Sequence, residues 1–181
     1  LAWLYHGRRT SLVLTPTHQI KRDFQSFVDV PVEVLGRGSD TLTFDDIQRE
    51  PRTPVRALYV GRVDYGQKNL EALEPLLDQI RDLELWIVGG GDDLELLRRR
   101  FAHHVASGRA KITGQIDDAD ELRSLYQAAD LFVFPSLSDT LGQVVMESQG
   151  SGLPVIVTDQ GGPKEVVEHG RTGYVLEAAD P

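Results

Sequence analysis

Residues 131–162 read LFVFPSLSDTLGQVVMESQGSGLPVIVTDQGG, and this stretch decides the fold. Leu131-Phe132-Val133-Phe134 is a short, unbroken apolar run that leaves through Pro135-Ser136. A helical pattern follows over 142–151, and a second apolar run over 154–158 leaves through Gly161-Gly162-Pro163. Runs that are apolar throughout, rather than alternating, belong to strands covered on both faces. Strand, helix and strand joined by short turns form the repeating unit of a parallel sheet. Two carboxylates stand at the turn of this unit: Asp139 before the helix and Glu147 in its second turn, eight residues apart. Between them Thr140-Leu141-Gly142 marks the helix start, where unpaired N–H groups attract anions. Backbone donors for phosphate beside carboxylate acceptors for hydroxyls outline a site for a nucleotide sugar.

Outward from this stretch the same alternation covers the chain. Strands are expected over 11–14, 32–35, 55–60, 83–88, 110–112, 131–134, 154–158 and 174–176. Helices are expected over 16–27, 67–80, 94–106, 120–128, 142–151 and 163–168. Leu70, Leu73, Leu76, Leu77 and Ile80 fall at i, i+3, i+4 spacing, one buried stripe on a single helix. The expected fold class is α/β, a Rossmann-like parallel sheet with helices on both faces. Ligands of such sheets sit at the carboxyl ends of strands, near a topological switch point. Gly36-Arg37-Gly38-Ser39-Asp40 and the polar stretch to Pro54 interrupt the rhythm and read as a linker. A boundary is expected near residue 40. Residues 1–40 are then the tail of a preceding domain with the start of the linker, and residues 41–181 the ligand-binding domain. With Leu1 at the start and Asp180-Pro181 just after a strand, the chain reads as a fragment whose last domain is cut short.

The chain has 181 residues, 40% hydrophobic and 26% charged, an ordinary composition for a globular domain. A chain of this length buries roughly 70% of its unfolded surface. Its net charge of −9 argues against nucleic acid as a partner and against a footprint on an acidic membrane. Cations that hold an anionic ligand must therefore be few and local. The absence of cysteine excludes disulfides, thiolate catalysis and cysteine-ligated metals. No apolar run approaches the ~18 residues of a membrane-spanning helix. The histidines show no metal-ligand spacing, and no GxSxG elbow supports hydrolase chemistry.

Two cations suit a diphosphate. Gly61-Arg62 ends the strand over 55–60, and Lys68-Asn69 opens the next helix in this reading, so both charges fall at one rim of the sheet, with Gly66 relaxing the turn. Arg offers a planar fork and Lys a mobile point charge, although most such residues on a rim are plain surface charges. Asp139 has an ordinary alternative as a helix cap. Glu147 has one as a solvated helical residue, but it lies among Val144, Val145 and Met146. Gly161-Gly162-Pro163 offers either a second nest of backbone donors or a plain turn. Gly89-Gly90-Gly91-Asp92 lacks GxGxxG spacing, and Asp92 or Asp93 reads as a helix cap. Asp118-Ala119-Asp120 carries the DxD spelling of metal-dependent sugar transferases. It sits where the helix over 120–128 needs a cap and an acidic first turn.

Taken in order, Gly61-Arg62, Lys68-Asn69, Asp139-x7-Glu147, Gly150-Ser151-Gly152-Leu153-Pro154-Val155 and Gly161-Gly162-Pro163 resemble the donor half of a family 4 (group 1) glycosyltransferase. Gly36-Arg37-Gly38-Ser39-Asp40 is similar to the interdomain segment of the sulfolipid-synthase and α-mannosyltransferase-like branch. The resemblance implies a GT-B architecture, with this chain supplying the carboxyl-terminal of two Rossmann-like domains. It implies retaining transfer from a nucleotide-diphosphate sugar, without a metal or other cofactor. Arg62, Lys68 and Asp139 would be catalytic, the cations clamping the diphosphate and Asp139, where the family usually has Glu, facing the donor sugar. Gly61, Thr140, Leu141 and Gly142 would bind the donor through backbone, Glu147 the ribose hydroxyls, and Ile116 would wall the base. The acceptor (lipid, glycan or small molecule), its general base and any peripheral membrane contact would belong to the missing domain. A fragment of this kind binds donor but turns over little, and a cytoplasmic location is expected. The alternatives are a same-fold nucleotide-sugar epimerase or phosphorylase, and a non-catalytic nucleotide-sugar-binding module.

Overall fold

The computed structural model describes residues 10–36, 38 and 49–178. Much of the expected linker and the boundary near residue 40 lie outside the described residues. The first unit is a parallel pair, β1 (Val13–Thr15) and β2 (Val32–Val34), joined by α1 (His18–Gln25). Thr17 caps α1, its hydroxyl accepting from the Ile20 N–H at 3.3 Å, an ordinary use of Thr at a helix start. Val13, Val28 and Val32 make a small core of their own.

The second unit is a six-stranded sheet in the order β5-β4-β3-β6-β7-β8, with every pairing parallel. Its strands are β3 (Val55–Val60), β4 (Leu83–Val88), β5 (Ala110–Gly114), β6 (Leu131–Phe134), β7 (Val155–Thr158) and β8 (Gly173–Leu176). The chain builds outward from β3 to β5, then returns to place β6 against the other side of β3. The switch point thus falls between β3 and β6, whose exits carry Arg62 and Asp139. Leu58, Tyr59, Leu85, Ile87 and Phe132 are wholly buried between the helical layers, as their unbroken apolar runs require. Phe134 at the end of β6 stacks on Tyr59 of β3 at 5.9 Å between ring centroids, which joins the two strands at the rim.

The remaining helices are α2 (Tyr65–Lys68), α3 (Glu74–Gln79), α4 (Leu94–Arg100), α5 (Ala102–Ala106), α6 (Ala119–Ala128) and α7 (Gln143–Gly150). Short 3-10 turns cover Leu70–Leu73 and Pro163–Val166. The single helix expected over 67–80 is therefore broken into three pieces, and Lys68 ends a helix rather than opening one. Asn69 sits in the left-handed region (φ 51°), which its short polar side chain tolerates. Pro75, in the first turn of α3, has no N–H to continue a helix from 67. Leu70, Leu73 and Leu77 are buried as expected, but Ile80 lies past the end of α3 and is 46% exposed. The helix expected over 94–106 likewise breaks at the buried Phe101. Among the described residues no helix is long and apolar enough to cross a membrane.

Candidate functional site

The site is assembled by the loops that leave the carboxyl ends of β3, β4, β5, β6 and β7. Close backbone approach sets their spacing. A Cβ on Gly89 would lie 1.8 Å from the Gly61 carbonyl oxygen, so the exits of β3 and β4 touch where no side chain fits. A Cβ on Gly162 would lie 2.1 Å from the Thr140 oxygen, which seats the Asp139–Gly142 turn directly on the exit of β7. Gly142 itself holds the N-cap position of α7 at φ 75°, a conformation that favours glycine. The two glycine-rich motifs thus do steric work. The Gly162 N–H, read from sequence as part of a donor nest, donates instead to the Asp139 carbonyl at 2.8 Å.

Lys68 and Asp139 meet across the switch point. Lys68 Nζ is 2.5 Å from Asp139 Oδ2, with side chains only 11% and 20% exposed, and the ammonium also lies over the Phe134 ring at 5.4 Å. The second oxygen, Oδ1, accepts from the Thr140 N–H at 3.1 Å. Asp139 therefore does not cap α7. It neutralises Lys68 and takes up one of the backbone donors expected for the ligand. The pair is what a largely buried ammonium needs, since an unpaired charge at this depth would be costly.

Arg62 is exposed on the loop after β3, and its Nη2 donates to Gln67 Oε1 at 2.9 Å. Beneath it the buried Tyr59 hydroxyl donates to the Arg62 carbonyl at 2.8 Å. Burial, then the nearby Asp139 and Asp64 carboxylates, push the Tyr59 hydroxyl well above the ordinary tyrosine range, so it stays a donor. Gln67 Nε2 donates to the Ser138 carbonyl at 2.9 Å, one residue before Asp139. Arg62 and Lys68 are thereby linked through Gln67 and the β6 exit. Sequence reading missed Gln67, because no spacing rule marks a residue five positions after an arginine as its partner.

Glu147 lies apart from this cluster. Half-buried on α7, its Oε2 accepts from the Tyr126 hydroxyl of α6 at 3.2 Å. Burial first, and then Glu147, push the Tyr126 hydroxyl far above its usual value, so the pair is a neutral donor on a carboxylate acceptor. Ile116, Gly61 and Arg62 line a cavity of about 340 Å³ with Gly90 and Gln115 at the tips of β3 to β5. A second, more polar cavity of about 570 Å³ lies between α1 and the exits of β6 and β7. Gln19 and Asp23 line it from α1, and Gln67, Asp139, Thr140 and Lys164 face them. The Arg62–Gln67 hydrogen bond joins residues of the two cavities, and Glu147 lines neither. The wall formed by α1 is held by Glu165, which accepts from the His18 and Gln19 N–H groups, both at 2.7 Å.

Other sequence readings resolve simply. Asp118 caps α6 through the Glu121 N–H at 2.8 Å, the structural role expected for the DxD spelling. Asp93, expected to cap α4, accepts instead from the Tyr65 N–H at 2.9 Å and so ties α2 to the β4 exit.

The six-stranded parallel sheet is Rossmann-like, and its neighbours among solved structures are GT-B glycosyltransferases. The chain belongs to the glycosyl transferases group 1 family, whose sequence profile matches residues 54–181. Over 97% of the chain it is 32% identical to the GDP-mannose-dependent α-mannosyltransferase of Mycolicibacterium smegmatis, covering 47% of that protein. Over 72% of the chain it is 34% identical to the sulfoquinovosyl transferase of Arabidopsis thaliana, covering 25% of that protein. The chain thus spans a quarter to a half of the length of these relatives. Among solved structures, sucrose-phosphate synthase from Thermosynechococcus elongatus superposes with a TM-score of 0.80 at 26% identity, over 99% of this chain and 48% of that one. The Anabaena protein HepE in complex with UDP superposes with a TM-score of 0.76 at 21% identity, over 94% of this chain and 51% of that one, a likeness of fold.

Proposed function

We propose that this chain is the donor-binding half of a retaining, metal-independent glycosyltransferase that moves a sugar from a nucleotide-diphosphate sugar to an acceptor hydroxyl. The observation that carries the reading is the largely buried Lys68–Asp139 pair at 2.5 Å on the β3/β6 switch point. Family membership supports it. So does the UDP complex of a protein that shares the fold.

In this reading the diphosphate lies along the β3 exit. Lys68 turns from Asp139 to a phosphate oxygen, and Arg62 supplies a second charge. As the bond between the sugar and the diphosphate breaks, its electron pair goes to the departing oxygen. The two cations and the Leu141-Gly142 backbone stabilise that charge where a divalent ion serves other transferases. Asp139, released from Lys68, faces the sugar in the larger cavity. Its other oxygen stays on the Thr140 N–H, which holds the carboxylate to bind the sugar rather than to attack it. Retention then follows from the acceptor oxygen arriving on the face that the diphosphate leaves. Ile116 walls the base in the smaller cavity, and Glu147 binds ribose hydroxyls.

Isothermal titration of the chain with UDP and GDP tests donor binding. One of the two is expected to bind, and no heat with either overturns the reading. In the full-length protein, the anomeric configuration of the product and the rate in excess EDTA test retention and independence from metal.

A further inference from the structure

We infer that Gln67 is a positioning residue that holds Arg62 toward the diphosphate while leaving the guanidinium charge available to it. The inference rests on the donor-binding reading above.

Every hydrogen-bonding group of Gln67 is engaged. Its N–H donates to Asp64 Oδ1 at 2.7 Å, and its carbonyl accepts from the Leu137 N–H at 3.0 Å and the Ser136 hydroxyl at 3.2 Å. Its amide reaches Ser138 O with one end and Arg62 with the other, each at 2.9 Å. The Ser138 carbonyl can only accept, so it fixes the amide with NH2 toward the β6 exit and oxygen toward Arg62. An exposed arginine left alone must give up rotamer freedom to hold a phosphate. Gln67 removes part of that cost beforehand, since one N–H is already anchored and the other guanidinium N–H groups can face the ligand. A carboxylate at 67 would hold Arg62 more tightly but would neutralise it. A neutral amide orients the charge and preserves it.

The test uses UDP or GDP, whichever the wild-type chain binds, beside the parent nucleoside. Gln67→Met keeps length and loses both hydrogen bonds. It is expected to weaken nucleotide binding about tenfold, the loss of one oriented charged contact, while leaving nucleoside binding unchanged. In an Arg62→Ala background the same substitution should have no further effect. Gln67→Glu should weaken nucleotide binding at least as much near pH 8. Relative to wild type it should recover as the pH falls toward about 4.3, the ordinary Glu value, where a protonated carboxyl mimics the amide. Equal loss of nucleoside binding, full additivity with Arg62→Ala, or wild-type nucleotide affinity in both variants overturns the inference. If the wild type binds neither nucleotide, the donor reading itself fails and this one with it.

Discussion

Cations gather at both ends of the sheet, and the two ends use them differently. At the amino ends of β6 and β7, Arg49 donates to the carbonyls of Ala129, Gly152, Tyr126 and Ser151 at 2.8–3.3 Å. Arg52 and Arg56 both donate to Ala128 O at the end of α6, and Arg109 reaches Ile80 O before β4 and Leu83 O at its start. Backbone oxygens cannot leave without taking the fold with them, so these arginines are fasteners for helix ends. At the carboxyl ends Lys68 is held by a carboxylate and Arg62 by an amide. Side-chain partners rotate, so these two cations can exchange them for phosphate. Arg56 also pairs with Glu84 at 3.0 Å, so a carboxylate partner alone does not mark a binding cation; backbone oxygens mark the structural ones, and Arg49, on four of them, is the clearest case.

The comparison is most exposed at Lys68. Lys68→Ala in the full-length enzyme should lower donor turnover by about 10²–10³-fold, the effect of removing one preorganised charge from a leaving-group site. A near wild-type rate would break the carboxyl-end half of the argument. At the other end, Arg49→Gln strands several carbonyls and should cost about 2 kcal/mol of stability. That is roughly a 4–8 °C fall in thermal midpoint for a chain of this size. Nucleotide affinity measured below the transition should stay the same, and a selective loss of affinity would show that the amino-end cations are not mere fasteners.

The smallest effect is a matter of pH. The hydroxyls of Tyr59 and Tyr126 are raised by burial in the folded chain, so folding favours their neutral forms. Their contribution to stability is fully present below about pH 10, the unfolded tyrosine value, and is lost as pH rises toward the folded values. Phenolate absorbance should show these two of the five tyrosines ionising only with unfolding. Early, reversible ionisation of all five would mean that the support beneath Arg62 is looser than the structure has it.

The sheet was legible because most of its strands hold an unbroken apolar run, as at 57–60, 85–88, 131–134 and 155–157. The rim was legible because glycines and charges cluster where those runs stop. Partner choice was not legible. Asp139 and Lys68 lie 71 residues apart in the chain, and only the β3–β6 pairing makes them neighbours. The break at Asn69 was masked by a leucine spacing that survives it, since a 3-10 turn and an α turn can bury the same face. Gln67 and Arg49 carry no pattern at all; Arg49 holds carbonyls of distant segments, and Gln67 joins the nearby Arg62 to the distant Ser138 carbonyl.

Glu165 grips the first turn of α1 without lining the cavity that α1 walls. That side of the opening is thus set by the Pro163–Val166 turn, whose Lys164 lines the cavity and whose Glu165 holds the α1 wall. Because the carboxylate holds main-chain N–H groups, the tie does not depend on which side chains stand at 18 and 19. Substitution of Gln19 should therefore change the chemistry of that wall and leave its seat on the Pro163–Val166 turn in place.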